Sequence, residues 1–237
     1  KKIEDERDEQ VNDERLKDER VNDERLRYVE ELTDSINQYN NILTKWIQMR
    51  QGELSLRIGN FPLQKVFDMV SHSAMSFSLN GIRLVVKPTD AVVKADSTLT
   101  LFMVNTIADN ARKFTPRGGT VTIEAKALPQ KEGERLPYVE IAITDNGKGM
   151  DQETLSHIFD RTYTGGHGFG LKNCKGIIEK YKKLSSLFNQ CLIDAESTVG
   201  KGTRIFFRLP LGKRRMIVFA LMLSLCCAVF GGTSPAK

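Results

Sequence analysis

Residues 105–116 read NTIADNARKFTP, and they form the most informative segment of this 237-residue chain. Thr106, Asn110 and Lys113 are spaced four and three residues apart, so they share one face of a predicted helix. Most of their neighbours are apolar, and polar groups on an otherwise buried helix need partners because unpaired buried polar groups are costly. An amide oxygen beside an ammonium group suits a magnesium ion together with phosphate.

Three further segments follow along the chain: DNGKGM at 145–150, IFDR at 158–161 and GGHGFGL at 165–171. A carboxylate at a strand end, followed by two glycines, lets a flat ring approach the backbone closely. Glycines that open a helix leave bare N–H groups, which bind anionic oxygens. Each segment alone is a weak signal, because Asp-Asn-Gly is commonly a plain turn and glycine-rich loops often precede helices.

In their order and spacing, the four segments resemble the ATP-binding domain of two-component sensor histidine kinases. That domain belongs to the wider ATPase superfamily of gyrase, the heat-shock chaperones and the mismatch-repair proteins. NTIADNARKFTP is similar to the family's N box, DNGKGM to the G1 box, IFDR to the F box and GHGFGL to the G2 box. The resemblance covers roughly residues 32–209 and implies an α+β fold, a two-layer α/β sandwich preceded by a long coiled-coil-like helix.

The resemblance also implies a binding site for ATP and Mg²⁺. Asp145 would accept a hydrogen bond from the adenine amino group, and Asn110 would coordinate Mg²⁺. The other implied nucleotide-binding residues are Lys113 at the phosphates, Phe114 near the base, Gly147 and Gly149 beside the adenine, Arg161 facing phosphate, Gly166, His167, Gly168, Phe169, Gly170 and Leu171 in the phosphate lid, and Thr203 in a late GKGT loop that supports the adenine pocket.

Two departures from the family pattern bear on the chemistry. Thr106 stands where the family usually has a second Asn and the hydrolysing relatives have Glu, so we expect no efficient ATP hydrolysis. The family's phosphoacceptor is a His followed by an acidic residue, and His72, His157 and His167 do not fit that pattern. No catalytic residue is therefore identified, and we expect the acceptor to lie upstream of this segment or not to exist.

The resemblance implies a histidine protein kinase that donates the γ-phosphate of ATP to a His for relay to the receiver domain of a response regulator. The alternative is a catalytically degenerate ATP-binding module that switches a coiled-coil dimer. A kinase acting on Ser of a partner is less favoured, because such kinases share the Glu of the hydrolysing relatives. A His-Glu or His-Asp pair ahead of Val29 would favour the histidine kinase.

The N-terminal part is predicted to be helical. Residues 1–30 carry eight Lys/Arg and twelve Asp/Glu, whereas the whole chain has a net charge of +5, so an acidic arm joins a basic body. We predict one long helix over roughly 11–50, a homodimer through residues 29–50, and a domain at 1–56 that contributes to the family's dimerisation hairpin. The predicted heptad seam consists of Val29, Leu32, Ile36, Tyr39, Leu43 and Trp46.

The C-terminal part, residues 213–237, combines Lys213-Arg214-Arg215 with an apolar run at 216–230. The run is shorter than the about 20 residues that a full span needs. We interpret it as a possible membrane segment, and the alternative is a buried core helix or strand. If it spans, the basic residues place the upstream chain at the cytoplasmic face of the bacterial inner membrane.

The modest net charge gives no indication of nucleic acid, and the four cysteines lack zinc-site spacing. Residues 57–212 are predicted to form the ATP-binding domain, as a mixed sheet with one face covered by helices. The predicted elements are a helix from Asn60, as its cap, to about Leu79, a strand at 82–87, a helix from Asp96 as its cap to about Phe114, strands at 120–126 and 138–144, a short helix at 151–157, a helix at 170–183, and strands near 190–196 and 203–209.

Overall fold

The computed structural model describes residues 56–130, 137–160 and 170–213, together with scattered positions between Arg15 and Gln48. Every described position between Arg15 and Gln48 is helical. Val29 and Ile36, two members of the predicted heptad seam, are each 58% exposed in the single chain. The other four members of the seam lie outside the described residues, so the coiled coil and the dimer stay predictions.

A five-stranded mixed sheet forms one layer of the domain. Its strands are β2 (Arg83–Val86), β4 (Thr120–Ala127), β5 (Tyr138–Asp145), β6 (Leu192–Thr198) and β7 (Gly202–Pro210). They are arranged in the order β2-β4-β5-β7-β6, with β2 parallel to β4 and every other neighbouring pair antiparallel. A small separate sheet pairs β1 (Gly59–Pro62) antiparallel with β3 (Val92–Ala95).

The helices form the second layer. They are α1 (Leu63–Ser71), α2 (Ala74–Leu79), α3 (Ser97–Phe114), α4 (Gln152–Ser156) and α5 (Gly170–Leu184), followed by a 3₁₀ turn at Ser186–Phe188. The central helix α3 packs against α1, α5 and β5. Val139, Ile141 and Ile143 alternate along β5 into the hydrophobic core. The two-layer α/β sandwich is therefore confirmed.

The opposite face of the sheet is polar. Glu140 of β5 accepts hydrogen bonds from Arg204 and Arg208 of β7, at 2.5 and 2.9 Å. Both guanidinium groups also lie over the ring of Phe206, at 4.4 and 5.8 Å from its centroid. This face carries paired charges, whereas the site described below lies at the end of β5 and along α3.

The prediction of one helix from Asn60 to Leu79 is wrong in two respects. Asn60 belongs to β1, where it pairs with Lys94, and the residue that precedes the helix is Pro62, which makes no side-chain capping bond. A turn at His72 and Ser73 then separates α1 from α2. The partner strand β3, which the sequence did not predict, lies about thirty residues further along the chain. The strands and helices predicted between residues 82 and 209 agree with the structure to within two residues, whereas the bounds of the helix predicted over 11–50 are not tested by the described residues.

Asp96 caps α3, as predicted. Its Oδ1 accepts hydrogen bonds from the backbone N–H groups of Thr98 and Leu99, at 3.0 and 3.2 Å. Its Oδ2 accepts the N–H of Arg57 at 2.9 Å, and its own N–H donates to the hydroxyl of Tyr181 at 2.9 Å. One residue therefore joins the segment that enters the domain, the start of α3, and α5.

None of the helices among the described residues is long and apolar enough to cross a membrane. The predicted membrane segment at 216–230 lies outside those residues.

Asp96→Ala should lower the free energy of unfolding by about 1–2 kcal/mol, because three backbone N–H groups lose their acceptor. Urea unfolding monitored by circular dichroism would measure the change. Asp151→Ala is the matched control, since Asp151 caps the five-residue helix α4 from an exposed position. Equal losses in the two variants would contradict a special role for the Asp96 cap.

Candidate functional site

Asp145 lies at the end of β5 and is buried. Its Oδ1 accepts hydrogen bonds from the backbone N–H groups of Gly147 at 2.8 Å and Thr203 at 3.3 Å. Burial raises the pKa of this carboxyl, and the two backbone bonds only partly oppose the rise. Because both bonds use Oδ1, the second oxygen, Oδ2, remains available to accept a hydrogen bond from a ligand.

The glycines of the 145–150 loop are required by close packing of the protein's own backbone. A side chain at Gly147 would overlap the carbonyl group of Phe114, at the end of α3. Gly149 has a φ of +66°, and a side chain there would overlap the carbonyl oxygen of Thr198, at the end of β6. The loop is thus held between α3 and the β6–β7 turn.

Lys148 strengthens both of these attachments through its main chain. Its N–H donates to the carbonyl oxygen of Phe114 at 3.4 Å, and its carbonyl oxygen accepts the N–H of Gly200 at 2.7 Å. Its ammonium group lies 5.1 Å from the centroid of the Phe114 ring, a cation–π distance. Phe114 as a residue is 47% exposed and follows Lys113 directly, so an aromatic residue lies open beside the loop.

Ser197 of β6 is a site residue that the sequence analysis missed. Its hydroxyl accepts the N–H of Met150 at 2.8 Å and donates to the carbonyl oxygen of Gly202 at 3.0 Å. It also lies 3.0 Å from the hydroxyl of Thr203. Thr203, which the sequence predicted as a support for the pocket, is therefore linked both to Asp145 and to the loop.

Asn110 and Thr106 lie on one face of α3, as their spacing predicted. The side-chain amide nitrogen of Asn110 donates to the carbonyl oxygen of Thr106 at 2.9 Å, a bond that does not use the amide oxygen. Thr106 is buried, and burial raises the pKa of the Cys174 thiol on α5. The methyl group of Thr106 also packs where a side chain at Gly170 would lie.

Lys113 is held in an ion pair that the sequence analysis did not predict. Its Nζ lies 2.7 Å from Oδ2 of Asp109, and Arg112 contacts Oδ1 of the same carboxylate at 2.7 and 3.2 Å. Burial alone would raise the pKa of Asp109, but the hydrogen bonds and charges of the two cations outweigh it, so the pKa is lowered. The spacings of three and four residues are those of helical ion pairs, so the signal was present in the sequence.

The structure places only part of the predicted phosphate lid. Gly170 begins α5, as predicted, and Leu171 packs against the hydrophobic core. The remaining predicted lid and phosphate residues, Arg161, Gly166, His167, Gly168 and Phe169, lie outside the described residues.

The side chains present fit a metal ion that is held partly by the protein and partly by the phosphates of a bound ligand. Where side chains are described, no group of three or more His, Cys, Asp or Glu could hold a metal ion. The amide oxygen of Asn110 is a hard oxygen ligand, and Mg²⁺ is commonly held by one or two protein ligands together with substrate phosphates. Phosphate oxygens and water would have to supply the other positions.

One family model and several known proteins are similar to this chain. The family model described as "Histidine kinase-, DNA gyrase B-, and HSP90-like ATPase" matches residues 95–213, half of the chain. The chain is 28% identical to sensor protein KdpD of Clostridium acetobutylicum over 169 residues, which cover 64% of this chain and 18% of that protein. The chain therefore spans about a fifth of the length of this curated relative.

Two solved structures share the fold. The mycobacterial sensor histidine kinase MprB matches with a TM-score of 0.53 at 23% identity, over 66% of this chain and 99% of that chain. The full-length ShkA structure in complex with AMPPNP matches with a TM-score of 0.59 at 19% identity, over 73% of this chain and 35% of that chain.

Stability should report the raised pKa of Asp145. Below the ordinary aspartate pKa of 3.8 the carboxyl is protonated in both states. As the pH rises through the raised folded pKa, the folded state must hold a charged buried group, and stability is lost. The free energy of unfolding of the wild type minus that of Asp145→Asn should therefore fall as the pH rises from the ordinary pKa of 3.8 through the raised folded pKa. Urea unfolding at several pH values tests this, and a difference that stays flat or rises would contradict it.

Proposed function

This chain belongs to the histidine kinase-, DNA gyrase B- and HSP90-like ATPase family, and we propose that residues 57–212 form the ATP-binding catalytic domain of a sensor histidine kinase. The observation that carries the proposal is the buried Asp145, which keeps one oxygen available at the start of a loop that packs against the end of α3 at Phe114. We propose residues 1–56 as part of a dimerisation region and residues 213–237 as a basic segment followed by a possible membrane segment.

Adenine would be recognised by the carboxylate oxygen of Asp145 that the protein's own hydrogen bonds leave available. Oδ2 of Asp145 would accept a hydrogen bond from the 6-amino group of adenine, and a charge-assisted bond of this kind is stronger than a neutral one. The ring of Phe114 would pack near the base. Thr203 and Ser197 would hold the carboxylate and the loop in place from the β6–β7 side.

Phosphate binding is proposed along α3 and the start of α5. Asn110 would hold Mg²⁺ through its amide oxygen, and Lys113 would contact the phosphates. When bound, Mg²⁺ would neutralise charge on the transferred phosphoryl group, and the contribution of the protein is positioning rather than covalent chemistry. The residues proposed for the lid are Arg161, Gly166, His167, Gly168, Phe169, Gly170 and Leu171.

Thr106 supports phosphoryl transfer rather than hydrolysis. Thr106 is a buried residue, and its hydroxyl cannot act as the carboxylate base that activates water. We propose that the acceptor is a His outside the domain, since His72 and His157 are exposed residues that lie outside the predicted dimer helix. A homodimer through residues 29–50, a receiver domain as partner, and a location at the cytoplasmic face of the inner membrane complete the proposal.

ATP should bind much more tightly than GTP, because Asp145 accepts from the 6-amino group of adenine but faces the 6-carbonyl of guanine. Asp145→Ala should weaken ATP binding by about 1–3 kcal/mol. Isothermal titration calorimetry measures both effects. Asp194→Ala, at an exposed carboxylate on β6, is the control and should bind ATP as the wild type does. Equal affinity for ATP and GTP in the wild type would overturn the assignment.

Asn110→Ala should weaken Mg²⁺-dependent ATP binding and leave ADP binding in EDTA largely intact, because only the first depends on the amide oxygen. Asn105→Ala provides the control, because Asn105 lies on the same helix but precedes Thr106, the position where the family usually has its second Asn. A parallel loss of both affinities in Asn110→Ala would mean that Asn110 supports the fold and does not bind the metal.

A further inference from the structure

Asp109 is shared between two cations, and it divides its oxygens between them. Arg112 donates two N–H groups to Oδ1, whereas Lys113 contacts only Oδ2. The side chain of Lys113 is 53% exposed, and that of Arg112 is 23% exposed. The less exposed and more fully bonded partner of the carboxylate is therefore Arg112.

This arrangement carries one negative and two positive charges. If the ammonium group of Lys113 leaves, Asp109 and Arg112 remain as a neutral pair, and Oδ1 keeps both of its hydrogen bonds. Loss of Arg112 would instead remove both bonds to Oδ1. Exposed ion pairs on helices are weak, so the Lys113 bond is the one that a stronger anion can replace.

We propose that Asp109 is a positioning residue for Lys113. In the free protein it holds the ammonium group beside Asn110, and when a nucleotide binds, Lys113 transfers from Oδ2 of Asp109 to a phosphate oxygen while Arg112 stays on the carboxylate. This inference rests on the proposed function, because it requires phosphates at this end of α3.

A consequence is that Asp109 restrains phosphate binding. The ion pair between Asp109 and Lys113 must be broken before Lys113 can contact phosphate. Removing this charge should therefore tighten the binding of ligands that carry phosphates. It should not change the binding of adenosine, which contacts only the base side of the site.

The test is calorimetric titration of the 237-residue chain with ATP, ADP and adenosine at low salt. Asp109→Asn should tighten ATP and ADP binding about two- to fivefold, the range expected for an exposed ion pair, and leave adenosine binding unchanged. Asp109→Glu keeps the charge and should bind all three ligands as the wild type does. Glu124→Gln is the matched control, because the Lys87–Glu124 pair on the sheet has the same 2.7 Å distance, and it should change none of the affinities.

Lys113→Met identifies the cation involved. In that background Asp109→Asn should lose most of its effect on ATP binding, whereas in Arg112→Met the effect should persist. Unchanged or weaker ATP binding in Asp109→Asn, or an equal gain in Glu124→Gln, would overturn the inference while the proposed function stands. Failure of the wild-type chain to bind either ATP or adenosine would overturn the proposed function, and the inference with it.

Discussion

Two backbone N–H groups converge on one oxygen of Asp145, and the geometry of the site depends on this convergence. The donors belong to Gly147 and Thr203, so the end of β5, the loop after it and the start of β7 are fixed relative to one another. A buried carboxylate is costly unless it is hydrogen-bonded, and these two bonds offset part of that cost. Because they use a single oxygen, the other is held in a defined position without being consumed by the fold.

The sequence predicted correctly the elements that depend on neighbouring residues. It gave a wrong prediction where the structure of a segment depends on pairing with a strand far away in the sequence. The cap at Asp96 and the strand β5 are indicated by residues close together in the sequence, and both were predicted correctly. Asn60 and Pro62 look like a helix start because such residues commonly precede helices. They are drawn into β1 instead by pairing with β3, and the sequence between the two strands gives no sign of that contact.

The same distinction applies within the site. The structure brings Asp145, Phe114 and Thr203 together, and their motifs could be recognised from the order of residues. Ser197 could not be recognised, because its contacts with the loop arise only when β6 pairs with β7. Asp109 is an intermediate case, since helical spacing makes its ion pairs possible, but only the structure shows that one carboxylate is shared between two cations.

Helix α3 combines fixed and adjustable parts along its length. The N–H groups of Thr98 and Leu99 in its first turn are bonded to Asp96, the methyl group of Thr106 in its middle fills the space beside Gly170 of α5, and its last carbonyl group accepts the N–H of Lys148 in the 145–150 loop. The backbone that carries Asn110 therefore cannot shift without disturbing α5 or the loop. Lys113 instead reaches its position through a long side chain and an exposed ion pair, which are easily rearranged. In the proposed site, the groups assigned to the base and the metal are thus set by the fold, and the proposed phosphate contact is left to adjust to the ligand.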